Sequence, residues 1–557
     1  MGIPKVLKVS VLVALFSGCG MMSKMTNKYD TVAIKTTPEI LQVHSGNVDL
    51  KLDFLFPEKY FGKKAVMELT PVLVYEKGET PFKTITIQGE EAIGGEATIF
   101  SVKGGSVKYE DFVAYNDDMY NSTLELRTST KIKDKEKQFP SRSIAKGVIA
   151  TSRRVLNNEQ LANNNHGYEH ETILEESATI YFLVNQSNIR TTEKSGDDIK
   201  KLKEFAERGY KTHSIEIKSF ASPEGNVSTN DNVSNNRMRS TVRYTKQILR
   251  SLKLDGAKDE SLYTETSVGE DWEGFKKLIK TSKIKDKRRI NNIVNSTIDV
   301  DKREQQIRDL AEIYVAIEDN VLPKLRKATV VIRSYEPKKT DEEIKLLALS
   351  NPEELNVNEL LFSATMYTDN QLKIDIYNKV VTLYNDWRGY NNIACIYLAN
   401  NKLDQASAYL DKAEALQVEK HDDIIINQAI IAARKGELEN AQNLFNQVRK
   451  VGEKNQAILD LRKGDYERAA RFFRNGKSHN ATLSQLMNGK NNVKCNDNTA
   501  GCDYLNAIGA ARLGNFTEVI VSLGKAISKN PDYKSEAALD MEFEALRQNT
   551  DFIALTK

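Results

Sequence analysis

Five side chains between positions 222 and 237 can carry recognition chemistry: Ser222, Glu224, Asn230, Ser234 and Arg237. Arg237 can offer a planar guanidinium to a carboxylate, two donors at once. Asn230 and Ser234 can order a loop and a helix start through local hydrogen bonds. Ser222 can accept a hydrogen bond but has no charge, whereas Glu224 carries one; Pro223 between them restrains the backbone. A second pattern, His166-Gly167-Tyr168-Glu169-His170, has two histidines and a glutamate in an order that can hold zinc when a helix brings both rings to one face. Asn163-Asn164-Asn165 precede it and Gly167 lies inside it, so a linker is expected there and no metal. The chain has 6 His, none beside a plausible nucleophile and acid. No Gly-x-Ser-x-Gly elbow, Walker loop or Rossmann fingerprint occurs in a suitable context. No catalytic residue and no cofactor is expected, and the protein is not expected to be an enzyme.

The elements that must position those five residues are legible around them. Residues 215–239, IEIKSFASPEGNVSTNDNVSNNRMR, are a short apolar strand, a turn, a polar loop, and a helix whose start carries Asn, Ser and Arg. The stretch resembles the core motif of the OmpA-like peptidoglycan-associating domain, strand–x–TD–loop–NxxLSxxRA. Ala221-Ser222 align with the TD step, and Asn230, Val233, Ser234 and Arg237 follow with the loop length kept. Two positions depart: Ser222 stands where the family has Asp, and Met238 where it has Ala. In that family the Asp and the Arg together hold the diaminopimelate of the peptidoglycan stem, which presents both an ammonium and a carboxylate. The resemblance therefore implies that Arg237 takes the carboxylate, while Asn230 and Ser234 order the loop. It leaves Ser222 or Glu224 to do the work of the Asp. Losing one charged hydrogen-bonding partner typically costs about 1.5–3 kcal/mol, so stem-peptide binding turns on that pair.

The same β/α alternation extends over 170–336, as the compact OmpA-like α/β sandwich requires. ATIYFLV at 178–184 reads as a strand. Ser195 reads as the N-cap of a helix over 197–208 with Ile199, Leu202 and Phe205 on one face. The second helix is expected over 234–252 and the closing strand over 328–334, after Leu325-Arg326. Residues 272–319 form a helical insert that the family domain lacks.

Upstream, 30–165 alternates with period two: VDLKLDFL at 48–55, AVMELTPVLVY at 65–75, FKTITIQ at 82–88, then 97–102, 106–114 and 122–128. Short strands without intervening helices predict a β-sandwich, immunoglobulin-like. This region is similar to the N-terminal domain of exported Bacteroidota proteins that carry an OmpA-like module. Downstream, 340–557 is helical and repetitive. Leu403-Ala406-Leu410-Ala413 recurs as Leu438-Ala441-Phe445, Tyr466-Ala469-Phe473 and Phe516-Val519-Leu523-Ala526, with Gly436, Gly464 and Gly514 at equivalent turns. Small residues let paired helices cross closely, the pattern of tetratricopeptide (TPR) repeats. Such arrays bind peptides or proteins, so an unidentified protein partner is expected here. Tyr384, Trp387 and Tyr390 cluster near its start and are expected to be core. Cys395, within IACIYL, is expected to be a buried thiol. Cys495 and Cys502 can close a small disulfide loop in an oxidising compartment.

The N-terminus places the chain. Lys5 and Lys8 precede an apolar run, 9–16, too short to span a bilayer, and Ser17-Gly18-Cys19 resembles a bacterial lipobox. The expectation is a lipoprotein signal peptide over 1–18, acylation of Cys19, and a polar tether over 19–29. Removing 1–18 takes away two Lys and no acid, so the net charge falls from +3 to +1 and gives no electrostatic case for nucleic acid. The expected fold class is multidomain α+β: β-sandwich, OmpA-like domain, TPR-like all-α solenoid. The expected function is to tether the outer membrane to peptidoglycan from its periplasmic face while the repeats hold a protein partner. The alternative is an accessory lipoprotein of a surface, outer-membrane assembly or secretion complex whose OmpA-like domain does not bind the wall.

Overall fold

The computed structural model describes residues 16–417 and 421–557. The leader expected over 1–18 therefore lies outside the described residues, apart from the backbone of 16–18, and Cys19 is described by its backbone alone. The fold is mixed α+β, with sheets in the N-terminal part and an all-helical C-terminal part. No helix among the described residues is long and apolar enough to cross a membrane. The chain divides into two compact units, Met1–Asn165 with Thr368–Lys557, and His166–Tyr367.

The first unit begins with a helix, Phe16–Asn27. Residues 19–29, expected as a polar tether, are thus largely helical, and Met22 and Met25 are buried among the strands that follow. Apolar burial explains the difference: two methionines three residues apart share one helix face, and docking removes both from water. Strand Asn47–Phe56 alternates strictly, with Val48, Leu50, Leu52, Phe54 and Phe56 turned inward. It pairs antiparallel with Ala33–Thr37 and Gly105–Ala114 in a five-stranded sheet. A seven-stranded sheet centres on Val66–Tyr75 and Ser122–Ile132. The two sheets contribute to one core, Leu50 and Phe54 from the first with Met67, Leu69, Leu124 and Leu126 from the second.

In the helical part, helices pair along the chain: Leu403–Ala415 follows Arg388–Ala399, Leu438–Phe445 follows Asp422–Lys435, and Tyr466–Phe472 follows Glu453–Lys463. Ala406, Ala441 and Ala469 are fully buried where the second helices cross. Gly436 and Gly464 end the first helices at φ of +87° and +81°, a left-handed cap that glycine adopts without strain.

The second unit holds a four-stranded sheet in the order Ile173–Tyr181, Lys327–Tyr335, Thr212–Ala221, Tyr263–Glu270. The first three strands are antiparallel and the last is parallel to its neighbour. Helices Asp197–Glu207 and Val227–Ser251 bury Ile199, Leu202, Phe205, Ile248 and Leu249 against Ile215, Ile217, Val330 and Ile332. Ser195 is not the cap of the first of these; Gly196 holds that position, and the Ser195 hydroxyl donates to the Thr191 carbonyl instead. The insert forms five helices between Trp272 and Leu325, with a separate core around Phe275, Ile279, Ile290 and Ile317. Helices Asp341–Ser350 and Val357–Ser363, expected in the repeat region, belong to this second unit.

Because Met25 is fully buried, Met25→Ala is expected to destabilise the first unit by about 2–5 kcal/mol. Lys24→Ala, on the exposed face, should change stability by less than about 0.5 kcal/mol. Equal urea midpoints for the two variants would show that the helix is not docked.

Candidate functional site

Strand Thr212–Ala221 delivers Ser222 to the mouth of the sheet, and Asn226 caps the next helix by accepting from the Ser228 amide. That helix starts at Val227, earlier than its expected start, so Asn230, Ser234 and Arg237 share one inward face at spacings of four and three. Asn230 Nδ2 donates to Glu270 Oε1 at 2.8 Å. Ser234 Oγ donates to the Ser219 carbonyl at 3.0 Å and accepts from Gly269 N at 3.2 Å and Ser267 Oγ at 2.9 Å.

Arg237 is 1% exposed. Its Nε donates to the Gln186 carbonyl at 3.0 Å, Nη1 to Phe220 at 2.9 Å and Nη2 to Leu183 at 3.1 Å, while the Phe182 ring lies 5.3 Å from the guanidinium carbon. Burial, and the nearby Arg326 cation, pull it down to about 10. The candidate anion is also engaged. Glu224 accepts two parallel bonds from Arg326, 2.7 Å from Nε and 2.8 Å from Nη2, and takes a third from Ser222 Oγ at 2.5 Å. The five expected binding residues therefore lie within one neighbourhood, and each is bonded to the protein itself.

A helix from the stretch between Trp272 and Leu325 borders this neighbourhood. Glu304 of Val300–Arg308 accepts from Gly225 N at 3.0 Å and from Arg308 at 2.8 Å, directly beside the loop that carries Glu224. Burial, with the neighbouring Glu270 carboxylate, pushes Glu304 up to about 7.

The histidine pattern is not helical. Gly167 has φ of +65°, His166 Nδ1 accepts from the Tyr168 amide, and Tyr168 stacks on Phe362 at 4.7 Å. Of the three aromatics, Trp387 and Tyr390 are partly buried against the helical core, and Tyr384 is more exposed. Cys395 is a buried thiol that burial pushes up to about 12. Cys495 and Cys502 are joined in a disulfide with Cα atoms 5.4 Å apart, so neither sulfur is available to a metal beside Asp497.

A site that the sequence reading passed over runs across the helices of the first unit. Residues 155–164 lie extended over four helices, Arg388–Ala399, Asp422–Lys435, Glu453–Lys463 and His479–Met487. Each offers an asparagine amide to the backbone. Asn480 accepts from Leu156 N at 2.9 Å and donates to Leu156 O at 3.0 Å. Asn455 does the same for Gln160 at 2.6 and 2.8 Å, and Asn427 for Ala162 at 3.0 and 3.1 Å. Asn392 clamps Asn164 at 2.9 and 3.3 Å, while Asn391 adds a bond to Ala162 O at 2.8 Å. Asn506 holds Cys495 in the same way, at 2.8 and 3.1 Å. Asn391, Asn392, Asn427, Asn455 and Asn480 are all buried. Their signal in the sequence is an asparagine two residues before a buried alanine, in Asn392-x-Ala394, Asn427-x-Ala429 and Asn455-x-Ala457.

No protein-family model matches the chain, and no curated protein sequence matches it.

Two outcomes follow from these geometries. Glu304 is protonated more in the folded than in the unfolded chain between its ordinary 4.5 and about 7. Stability of the second unit should therefore fall as pH rises through that window, by on the order of 2 kcal/mol; Glu304→Gln should flatten the slope, read as melting temperatures at pH 5 and 8. Asn427→Ala should cost about 1–3 kcal/mol, because the Ala162 carbonyl keeps Asn391 but its amide loses its acceptor. Faster hydrogen exchange at Ala162 would report the same loss.

Proposed function

We propose that the chain is a lipid-anchored envelope scaffold and not an enzyme. In this reading it is an accessory of a surface, outer-membrane assembly or secretion complex, and its OmpA-like domain is kept for its fold rather than for a grip on peptidoglycan. The observation that carries it is the state of Arg237, fully buried and spent on three backbone carbonyls, with Glu224 paired to Arg326. A stem peptide needs one accessible cation and one accessible anion, and taking these would leave buried partners unmatched at about 1–3 kcal/mol each.

The OmpA-like assignment is supported by the strand–loop–helix course of 212–251 and by the closing strand that follows Arg326. A β-sandwich reading of the N-terminal part is supported by two sheets sharing one core. The tetratricopeptide-type reading is supported by paired helices with small buried residues at their crossings and glycine caps between them. Anchoring through Cys19 rests on the lipobox-like sequence, and the protein-partner role on the repeats.

The kept spacing of Asn230, Ser234 and Arg237 favours the other reading, wall binding. Sedimentation with purified sacculi separates the two. The full-length protein is expected to stay in solution; retention on sacculi that is competed off by soluble stem peptide would sink the scaffold reading.

A further inference from the structure

The extended segment over the asparagine helices has the character of a bound ligand. Residues 155–164 contain no helix or strand, and their one internal backbone bond runs from Asn158 N to Leu156 O. The helices supply the rest. Alternate residues 160, 162 and 164 meet successive asparagines, matching the two-residue repeat of an extended chain. An amide that pairs with both N–H and C=O of one residue reads backbone and ignores side chain, so this part of the recognition admits any sequence.

Selectivity comes from side chains: Asn157 and Asn158 accept from Arg462 and Asn480, Asn164 donates to Asp423, and Glu159 carries the charge. Glu159 is buried and accepts from Arg434 Nη2 at 2.7 Å, Arg434 Nε at 3.1 Å and Arg462 Nη2 at 3.3 Å. Arg462 Nε has no partner, and burial pulls its guanidinium below the ordinary arginine value. Without the Glu159 carboxylate, two largely buried guanidiniums would lose their shared counter-charge. Val155 and Leu161 add apolar anchors on either side. An occupant must therefore be extended, apolar at intervals, and acidic just before the residue that Asn455 clamps.

We propose that this face of the helices is a binding site for an extended peptide with one buried carboxylate, and that residues 155–164 are a resident ligand which holds it shut. Emptied, the face would turn its asparagine amides to water, which can take over their hydrogen bonds without the ordered pairing the segment gives. It can change occupant, because the resident segment has little structure of its own. A covalent tether gives that segment a high effective concentration, so an outside peptide succeeds only when the segment is weakened or drawn away. The proposal deepens the scaffolding role by naming the surface that takes the partner, and it rests on that role only for there being one.

The test titrates a fluorescein-labelled peptide of residues 153–165 into the full-length protein and into a full-length Glu159→Ala, Leu161→Ala variant. Binding to the variant at least tenfold tighter than to the native chain is expected, as is at least tenfold weakening when the peptide itself carries Glu159→Gln. Equal binding to both proteins, binding to neither, or indifference to the peptide's Glu159 overturns the proposal. Hydrogen exchange of the native protein decides independently of how the variant folds. Amides 156, 160, 162 and 164 should open while the helices stay protected; exchange only together with the helices would make the segment a permanent part of the fold. Cross-linking in cells that finds no partner, with peptide exchange intact, sinks the scaffolding role alone.

Discussion

A buried side-chain amide must find both a donor and an acceptor, and that requirement organises the first unit. A helix cannot satisfy an inward asparagine, because its own backbone groups are already paired. Asn392, Asn427, Asn455 and Asn480 each meet the requirement on one residue of the segment 156–164. The segment in turn has no sheet to satisfy its own amides. Each side supplies what the other lacks, so the helices and the strand-rich part of the unit are joined through a stretch of chain without regular structure. The disulfide loop obeys the same rule: Asn506 clamps Cys495, so the covalent bond and the amide pair fix the loop from both ends.

Most elements were legible in the sequence, and the exceptions have physical causes. Asn47–Phe56, Val66–Tyr75 and Thr212–Ala221 announce themselves because one face is buried and the other wet. Strand Tyr263–Glu270 does not, since its burial scarcely alternates and its residues are mostly polar. It exists because the neighbouring strand offers it a parallel ladder. The helix over 16–27 was hidden by helix-poor residues, Ser17, Gly18, Gly20, Ser23 and Thr26, and tertiary burial of Met22 and Met25 accounts for its docking. The asparagine site was invisible for a different reason. Single asparagines on helices ordinarily face solvent, and their meaning depends on a segment more than two hundred residues away.

The helical stretch between Trp272 and Leu325 bears directly on the loop after strand Thr212–Ala221. It brings Glu304 to Gly225, and so a carboxyl group into a neighbourhood that already holds Glu224 and Glu270. Three carboxylates together would repel. Arg326 pairs with Glu224, and the raised affinity of Glu304 for its proton removes its charge from beside Glu270. The loop after strand Thr212–Ala221 is thereby tied to a helix of its own chain.

Asn230, Ser234 and Arg237 sit on one helix face and stitch the helix to the sheet: Asn230 to Glu270 on the last strand, Ser234 to Ser219 and Gly269 on two strands, Arg237 to the carbonyls of Phe220, Leu183 and Gln186. Each would leave a buried group unmatched if replaced, so the fold alone is reason enough to keep them. The charge of an Asp at position 222 has no such structural work, because Arg326 is already paired with Glu224. Ser222 is buried and donates to Glu224, adding a third hydrogen bond to that carboxylate.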